Sequence, residues 1–149
     1  MKELKVSAIR DGTVIDHIPS DVTFNVVEIL KLENVNKIVS VATNLPSKRL
    51  GKKGIIKIGG KDLTKEEADK IALIAPKATF NIIKKYDVVK KIVSDIPDTI
   101  YGIVKCFNPK CITNNEPMKT KFSVISKSPL KLRCMYCERT MKKEDIELV

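Results

Sequence analysis

Short runs of alternating apolar and polar residues recur along the first two thirds of the chain, and they predict strands. The run ELKVSAIR (residues 3–10) alternates in this way, and the DGT triplet at 11–13 that follows it predicts a turn. Residues 37–43 (KIVSVAT) and 54–59 (GIIKIG) predict two further strands. The segment that joins these two strands, NLPSKRLGKK, is rich in turn-forming residues.

Two stretches between the strands carry apolar residues at helical spacing. The segment SDVTFNVVEILKLEN (20–34) predicts a helix whose apolar face holds Val22, Val26, Ile29 and Leu30. The segment LTKEEADKIALIAP (63–76) predicts a second helix. Thr64 is a suitable N-cap and Glu67 follows three residues later, which is the spacing of a capping box. Pro76 ends this helix.

The order of these elements defines the fold class. ATFNII (78–83) and DVVKKIV (87–93) predict strands on either side of Tyr86. The resulting order, β-α-β-β-α-β, is that of a ferredoxin-like sandwich, in which the helices cover one face of an antiparallel sheet. The sequence therefore predicts an α+β fold for this part of the chain.

The character of the chain changes after the short polar segment SDIPDT (94–99). Beyond it lie all four cysteines and several short predicted strands that are interrupted by proline and asparagine. We therefore expect two domains, residues 1–98 and residues 99–149, the second of which is a small all-β domain.

The charge of the chain raises the possibility of a nucleic-acid partner. The 149 residues carry a net charge of +10, but only four of the 28 basic residues are arginine, the side chain best suited to reading base edges. A zinc-ribbon nucleic-acid-binding protein is kept as the alternative interpretation, although we expect no nucleic-acid partner. No apolar run is long enough to span a membrane, and no secretory signal is visible, so we expect no membrane partner and a cytoplasmic location.

The four cysteines form the strongest local motif. Cys106 and Cys111 are separated by four residues, and Cys134 and Cys137 by two. Two such cysteine pairs, which we call knuckles, together supply the four ligands of a tetrahedral zinc ion. We therefore expect one structural zinc ion per chain, held by all four thiolates. Two disulfides, or inert thiols, are the alternatives, and the reducing cytoplasm disfavours the disulfides.

The remaining motifs offer little for catalysis. GIIKIGGKD (54–62) resembles a phosphate-binding P-loop, but Gly60 occupies the lysine position of that motif. The basic loop KRLGKKG (48–54) is either a phosphate site or a solvated turn. The pair Asp16-His17 contains the one histidine of the chain and is either a general acid/base pair or a polar pair at a turn. With no candidate nucleophile, we expect no enzymatic activity.

A set of motifs adds a family resemblance to this interpretation. In order they are GTVIDHIP (12–19), NLPS (44–47), IIKI (55–58), IALIAPKATFNIIKKYDVVKK (71–91) and the two cysteine knuckles. Together they resemble the regulatory chains of aspartate carbamoyltransferase over about residues 3–149. The resemblance implies a non-catalytic allosteric subunit in pyrimidine biosynthesis, with an N-terminal domain that binds nucleotide effectors and a zinc domain that contacts the catalytic chain.

The resemblance also implies partners and site residues. The partners are the catalytic chain, a second copy of this chain in a regulatory dimer, and the effectors CTP and ATP, with UTP as a further candidate. His17 and Lys91 would contact phosphates, Asp16 and Lys57 would lie near the ribose, and Arg10 and Lys53 are further phosphate candidates. The full predicted effector site comprises Val6, Ala8, Ile9, Asp16, His17, Ile55, Lys57, Asn81, Ile83, Tyr86, Val88 and Lys91.

Overall fold

The computed structural model describes residues 9–149, and backbone contacts divide the chain into two compact units. The first unit ends at Asp95 and the second begins at Ile96. The regular elements of the first unit are β1 (Gly12–Pro19), α1 (Thr23–Ile29), β2 (Val39–Ser47), β3 (Gly51–Gly59), α2 (Lys65–Ile74), β4 (Thr79–Lys84) and β5 (Asp87–Val93).

The five strands of the first unit form one antiparallel sheet in the order β2-β3-β1-β4-β5. The first four strands of this order have the ferredoxin-like arrangement, and β5 adds a fifth strand at the edge beside β4. The predicted α+β class is confirmed. Alternation along the strands separates two faces of the sheet.

One face of the sheet packs on the helices and forms the core. Ile15 of β1 and Ile56 and Ile58 of β3 are fully buried there, together with Val26 of α1 and Ile71 of α2. The alternate residues of the same strands lie on the other face, which the two helices do not cover. We call this second surface the open face of the sheet.

The start of the chain differs from the prediction. Residues 3–8 of the predicted first strand lie outside the described residues, and Ile9 and Arg10 are not in a strand. The predicted turn at 11–13 is wrong in part, because β1 already begins at Gly12. Thr13, Val14 and Ile15 are β-branched and favour the extended backbone, and the Thr13 hydroxyl is fixed by donating to the Lys61 carbonyl at 2.6 Å.

The helix predicted over residues 20–34 is shorter than expected and is flanked by 3-10 turns. The α-helix covers Thr23–Ile29, with short 3-10 turns at Ser20–Val22 and Leu32–Asn34. Lys31 adopts a left-handed backbone with φ of 52° and ends the first stretch. The strands on either side of the basic loop are longer than predicted, since β2 ends at Ser47 and β3 begins at Gly51.

The capping box at the start of α2 is confirmed. The Glu67 amide donates to Thr64 Oγ1 at 3.1 Å, and the Thr64 amide donates to Glu67 Oε1 at 3.0 Å. The two bonds satisfy donors that the first turn of a helix leaves unpaired.

Replacing the N-cap residue Thr64 should have a modest effect on stability, and two variants distinguish the loss of its side-chain oxygen from other changes. Thr64→Ala removes the side-chain acceptor and is expected to lower the free energy of unfolding by about 1 kcal/mol, whereas Thr64→Ser retains the oxygen. Chemical denaturation of the zinc-loaded chain measures both. Equal stability of the two variants would contradict the role of the cap.

The second unit is built from short strands. They are β6 (Thr99–Tyr101), β7 (Val104–Lys105), β8 (Lys121–Lys127), β9 (Leu130–Cys134), β10 (Thr140–Lys142) and β11 (Glu147–Leu148). Four of them form a sheet in the order β10-β9-β8-β6, and β7 pairs with β11. Phe122, Leu132 and Met141 fill its small core. Across residues 9–149, no helix has the length and apolar character needed to cross a membrane.

Candidate functional site

The four cysteine thiols converge on one point in the second unit. Their sulfur atoms all lie within 4.8 Å of one another. Cys106 Sγ is 3.6 Å from Cys137 Sγ, and Cys111 Sγ is 3.8 Å from Cys134 Sγ. A tetrahedral zinc ion with bonds of about 2.3 Å places its sulfur ligands about 3.8 Å apart. The donor set and its spacing therefore fit one zinc ion.

Side-chain amides hold the first knuckle in shape. Asn114 Nδ2 donates to the carbonyls of Cys106 and Asn108, at 2.9 and 2.8 Å. Asn115 Nδ2 donates to the Cys111 carbonyl at 2.9 Å. Asn108 itself accepts from the Lys110 amide at 3.1 Å, which closes the turn between the two cysteines.

The second knuckle is fixed by the backbone. The Cys134 amide donates to the Arg139 carbonyl, and the Glu138 amide donates to the Cys134 carbonyl, both at 2.9 Å. Glu138 takes a left-handed backbone with φ of 66°, which turns the chain back toward β10. Local hydrogen bonds therefore fix the loops that carry both pairs of thiols.

The thiols differ in acidity. Burial raises the pKa of Cys106 and of Cys134, since a thiolate is poorly solvated there. Burial also acts to raise the pKa of Cys137, but the Arg139 amide and the Asn108 side chain stabilise its thiolate and lower its pKa to about 7. Cys137 is less buried than the other three, which are almost inaccessible.

In the first unit, the open face gathers most of the predicted effector residues. The pairing registers place Lys57, Val14, Asn81 and Lys91 opposite one another, in a single row across β3, β1, β4 and β5. This row spans three strand spacings, or about 14 Å. Two lysines thus flank a neutral centre, with an amide side chain between them.

Asp16 and His17 lie beside that row, where β1 has an irregular register between Ile15 and Ile18. His17 has a left-handed backbone with φ of 59°, and its Nδ1 lies 3.1 Å from Thr79 Oγ1. Thr79 pairs with Asp16 across β1 and β4, so the bulge brings both side chains to the open face. On a regular strand, adjacent residues would point to opposite faces.

A cluster of charges surrounds this pair. Lys53 Nζ lies 3.0 Å from Asp16 Oδ1 and 3.3 Å from Asp16 Oδ2. The His17 amide donates to Asp16 Oδ1 at 2.6 Å. Burial lowers the pKa of His17, Asp16 opposes that shift, and Lys53, Arg49 and Lys91 add to it by repulsion. The net effect is a pKa of His17 below its usual value.

The other predicted residues are placed as follows. Ile55 precedes the buried Ile56 on β3 and lies on the open face. Ile83 pairs with Gly12 and with Val88 at the other end of the sheet. Tyr86 forms the β4–β5 turn and its amide donates to the Arg10 carbonyl at 2.9 Å, with Ile9 just before. Val6 and Ala8 lie outside the described residues.

Two side chains near His17 are absent from the predicted site. Thr79 carries the ring contact, and Arg49 of the basic loop is close enough to affect the pKa of His17. No local signal in the sequence marks Thr79, since its position depends on the pairing of β1 with β4. The sequence marks the basic loop as a candidate phosphate site. It does not show that Arg49 lies near His17, because that depends on the turn at residues 48–50.

Comparison with known proteins gives two consecutive matches. The family described as aspartate carbamoyltransferase regulatory chain, allosteric domain, matches residues 4–95. The family described as aspartate carbamoyltransferase regulatory chain, metal binding domain, matches residues 98–147. The two matches follow one another along the chain as the two structural units do.

Whole-chain relatives carry the same description. Proteins named aspartate carbamoyltransferase regulatory chain are 57% identical in Pyrococcus abyssi over 148 residues (98% of this chain, 97% of the relative) and 61% identical in Thermococcus sibiricus over 142 residues (95% and 94%). One from Bacteroides fragilis is 51% identical over 146 residues (98% and 95%). These matches favour a regulatory chain over a nucleic-acid-binding zinc ribbon.

Proposed function

The chain belongs to the family of aspartate carbamoyltransferase regulatory chains, and from this premise we propose that its first unit binds CTP and ATP on the open face of the sheet. UTP is a further candidate for the same surface. In this proposal the second unit holds one zinc ion and docks on the catalytic chain. The nucleotide then acts on catalysis from a distance, by favouring one state of the assembled enzyme over another.

The observation that carries the effector proposal is the row Lys57–Val14–Asn81–Lys91 with the Asp16-His17 pair beside it. A triphosphate requires several cations, and lysine acts on phosphate as a point charge. Lys53 and Lys91 lie close enough to His17 to affect its pKa, so the cations converge on one end of the open face.

Each predicted residue then has a physical role. Lys91, Lys53 and His17 meet the phosphates, and Arg10 is a further phosphate candidate. Asp16 and Lys57 lie toward the ribose. Asn81 offers both a donor and an acceptor, which suits the amino-bearing rings of CTP and ATP. The apolar contacts to the nucleotide come from the remaining predicted residues, Val6, Ala8, Ile9, Ile55, Ile83, Tyr86 and Val88.

The proposed contact with the catalytic chain involves the surface around the metal site. Phe107 and Tyr136 lie within the two knuckles, Ile112 follows the first one directly, and all three are exposed. Exposed aromatic and aliphatic groups of this kind favour a protein interface. The zinc ion fixes the two loops that present them.

The proposed regulatory dimer is supported by an edge strand and by two exposed apolar side chains. Phe24 of α1 and Ile38 before β2 are strongly exposed, and β2 is an edge strand of its sheet. An edge strand with apolar neighbours is suited to pairing with another chain. We also place the protein in the cytoplasm, where the four thiols stay reduced and available to zinc.

A calorimetric titration tests the effector proposal. Titrating CTP into the zinc-loaded chain should give saturable binding, and inorganic triphosphate should bind more weakly because it lacks the base and ribose. Lys57→Ala should reduce the CTP affinity, whereas Lys52→Ala changes an exposed lysine of the same strand and should have a smaller effect. Absence of CTP binding to the folded chain would refute the proposal.

The pH dependence of CTP binding follows from His17. The pKa of His17 is lowered in the ligand-free chain, mainly by burial, and a bound polyanion would raise it. Binding then takes up a proton, so affinity should increase as the pH falls between the raised pKa of the complex and the lowered pKa of the free chain. Because one proton is taken up, the largest possible change in CTP affinity is about tenfold per pH unit.

This prediction can be separated from titration of the nucleotide itself. CTP affinity is measured by calorimetry from pH 8 to pH 6 for the wild type and for His17→Gln. The difference between the two slopes isolates the proton that His17 binds. Identical slopes would show that His17 does not contact the phosphates.

A further inference from the structure

The tip of the basic loop is a feature that the effector proposal does not use. It is the turn of residues 48–50, which joins the end of β2 to the start of β3. The Leu50 amide donates to Ser47 Oγ at 3.2 Å and closes this turn. The turn therefore has a defined shape, and it presents the exposed side chain of Arg49 at one end of the sheet.

The two ends of the sheet differ in character. Ile83 and Val88 pair with each other at the end where β1 begins, and this end is apolar. His17 lies near the other end of β1, whose last residue pairs with Lys53. The basic loop leads into β3 at this second end. In the proposed site, a nucleotide whose base lies at the apolar end therefore directs its phosphates toward the basic loop.

The cations at the basic end differ in how far their charge is already balanced. Lys53 Nζ lies 3.0 Å from Asp16 Oδ1, and the two side chains are only 19% and 22% exposed, so this pair neutralises itself. The side chain of Arg49 is exposed and forms no ion pair or hydrogen bond with any of residues 9–149. Its charge nevertheless reaches His17, where repulsion by Arg49 helps to lower the pKa. Arg49 is thus an unpaired cation close to a predicted phosphate contact.

We propose that Arg49 binds the terminal phosphate of the nucleotide and makes the site prefer triphosphates to diphosphates. This role rests on the proposed effector function, because it requires a nucleotide on the open face. A guanidinium presents a planar fork that suits two oxygens of one phosphate, whereas the ammonium of the adjacent Lys48 acts as a point charge. A diphosphate leaves this fork without a partner, so only the longer nucleotide is stabilised by it.

Calorimetric titration of the full zinc-loaded chain with CTP and with CDP tests this role. The wild type should bind CTP at least about tenfold more tightly than CDP, as expected for hydrogen bonds to a charged group. Arg49→Ala should weaken CTP binding by about tenfold and leave CDP binding nearly unchanged, so that most of the preference disappears. Lys48→Ala removes an adjacent exposed cation and is the matched control, which should keep the preference of the wild type.

Failure of this role and failure of the effector proposal give different results. If the wild type bound no CTP, the effector proposal would be wrong and the role of Arg49 would be lost with it. If the wild type bound CTP and CDP equally, or if Arg49→Ala weakened both equally, the effector site would stand and the role of Arg49 alone would be overturned. A loss of preference in Lys48→Ala as large as in Arg49→Ala would also overturn it, because overall charge would then explain the effect.

Discussion

A chain carrying Cys111→Ser is expected to lose its zinc ion and the folded state of the unit from Ile96 to Val149. Cys111 is buried, and its sulfur lies 3.8 Å from that of Cys134. A serine hydroxyl at this position is a poor replacement for a thiolate ligand, and the core of a unit this small is limited. Zinc binding in comparable sites contributes on the order of 10 kcal/mol to folding.

The measurement is the metal content after dialysis, together with thermal unfolding. Met135→Leu alters an exposed, non-ligating residue between Cys134 and Cys137, and it should keep one zinc per chain. Removing zinc from the wild type with a chelator should reproduce the behaviour of Cys111→Ser. A Cys111→Ser chain that retained one equivalent of zinc and a cooperative transition for this unit would contradict a four-thiolate site.

The second large effect is expected at Lys91. Lys91→Ala removes a cation from the row on the open face and should weaken CTP binding by about tenfold to a hundredfold, the usual range for a hydrogen bond to a charged group. The zinc content and unfolding temperature should remain close to those of the wild type, because Lys91 is exposed.

The adjacent lysine provides the matched control. Lys90 is also exposed on β5, but it pairs with Ile82 and lies on the helix side of the sheet. Lys90→Ala makes the same change in net charge and should have a much smaller effect on CTP affinity. If both variants weakened binding equally, the effect would arise from overall charge, and the assignment of the site to the open face would be wrong.

The features that the sequence predicted well are those set by local chemistry. The capping box at Thr64 and Glu67 requires only a spacing of three residues, and the zinc motif requires only two close cysteine pairs. Strand β5 was predicted with its observed limits, because a run rich in β-branched residues follows the turn at Lys85 and Tyr86. Such signals act within a few residues of the chain.

The features that the sequence did not predict depend on pairing between distant segments. The strand at Gly12–Pro19 contains a bulge that turns His17 toward Thr79, which is 62 residues away. Alternation alone places Asp16 and His17 on opposite faces, so their common position cannot be read from the local pattern. The family resemblance identified Asp16 and His17 as site residues. The bulge explains physically why both side chains reach the open face.

The same limit applies to a pocket that lies between β4, β5 and the first half of α2. The sequence predicts the strand and helix α2 separately, but the space between them exists because five strands are covered by two helices. The buried hydroxyl of Ser94 is likewise unremarkable in sequence, since it lies in the polar segment that ends the first unit. Both observations require the assembled sheet.

The proposed regulation depends on a difference in affinity between two states of an assembled enzyme. A nucleotide that bound both states equally would shift neither, however tightly it bound. The chain must therefore join the catalytic chain, and its effector site must respond to the state of that assembly. Binding of CTP to the isolated chain establishes that an effector site exists, but it meets neither of these two requirements.

Reconstitution with the catalytic chain of the same source tests the central claim most directly. The zinc-loaded chain is mixed with that catalytic chain, the mass is followed by size exclusion with light scattering, and the aspartate saturation curve is measured with and without CTP. The account predicts a larger complex whose saturation curve moves with CTP, and whose response is lost in Lys91→Ala but kept in Lys90→Ala. Failure to form a complex, or a complex whose curve is the same with and without nucleotide, would contradict it.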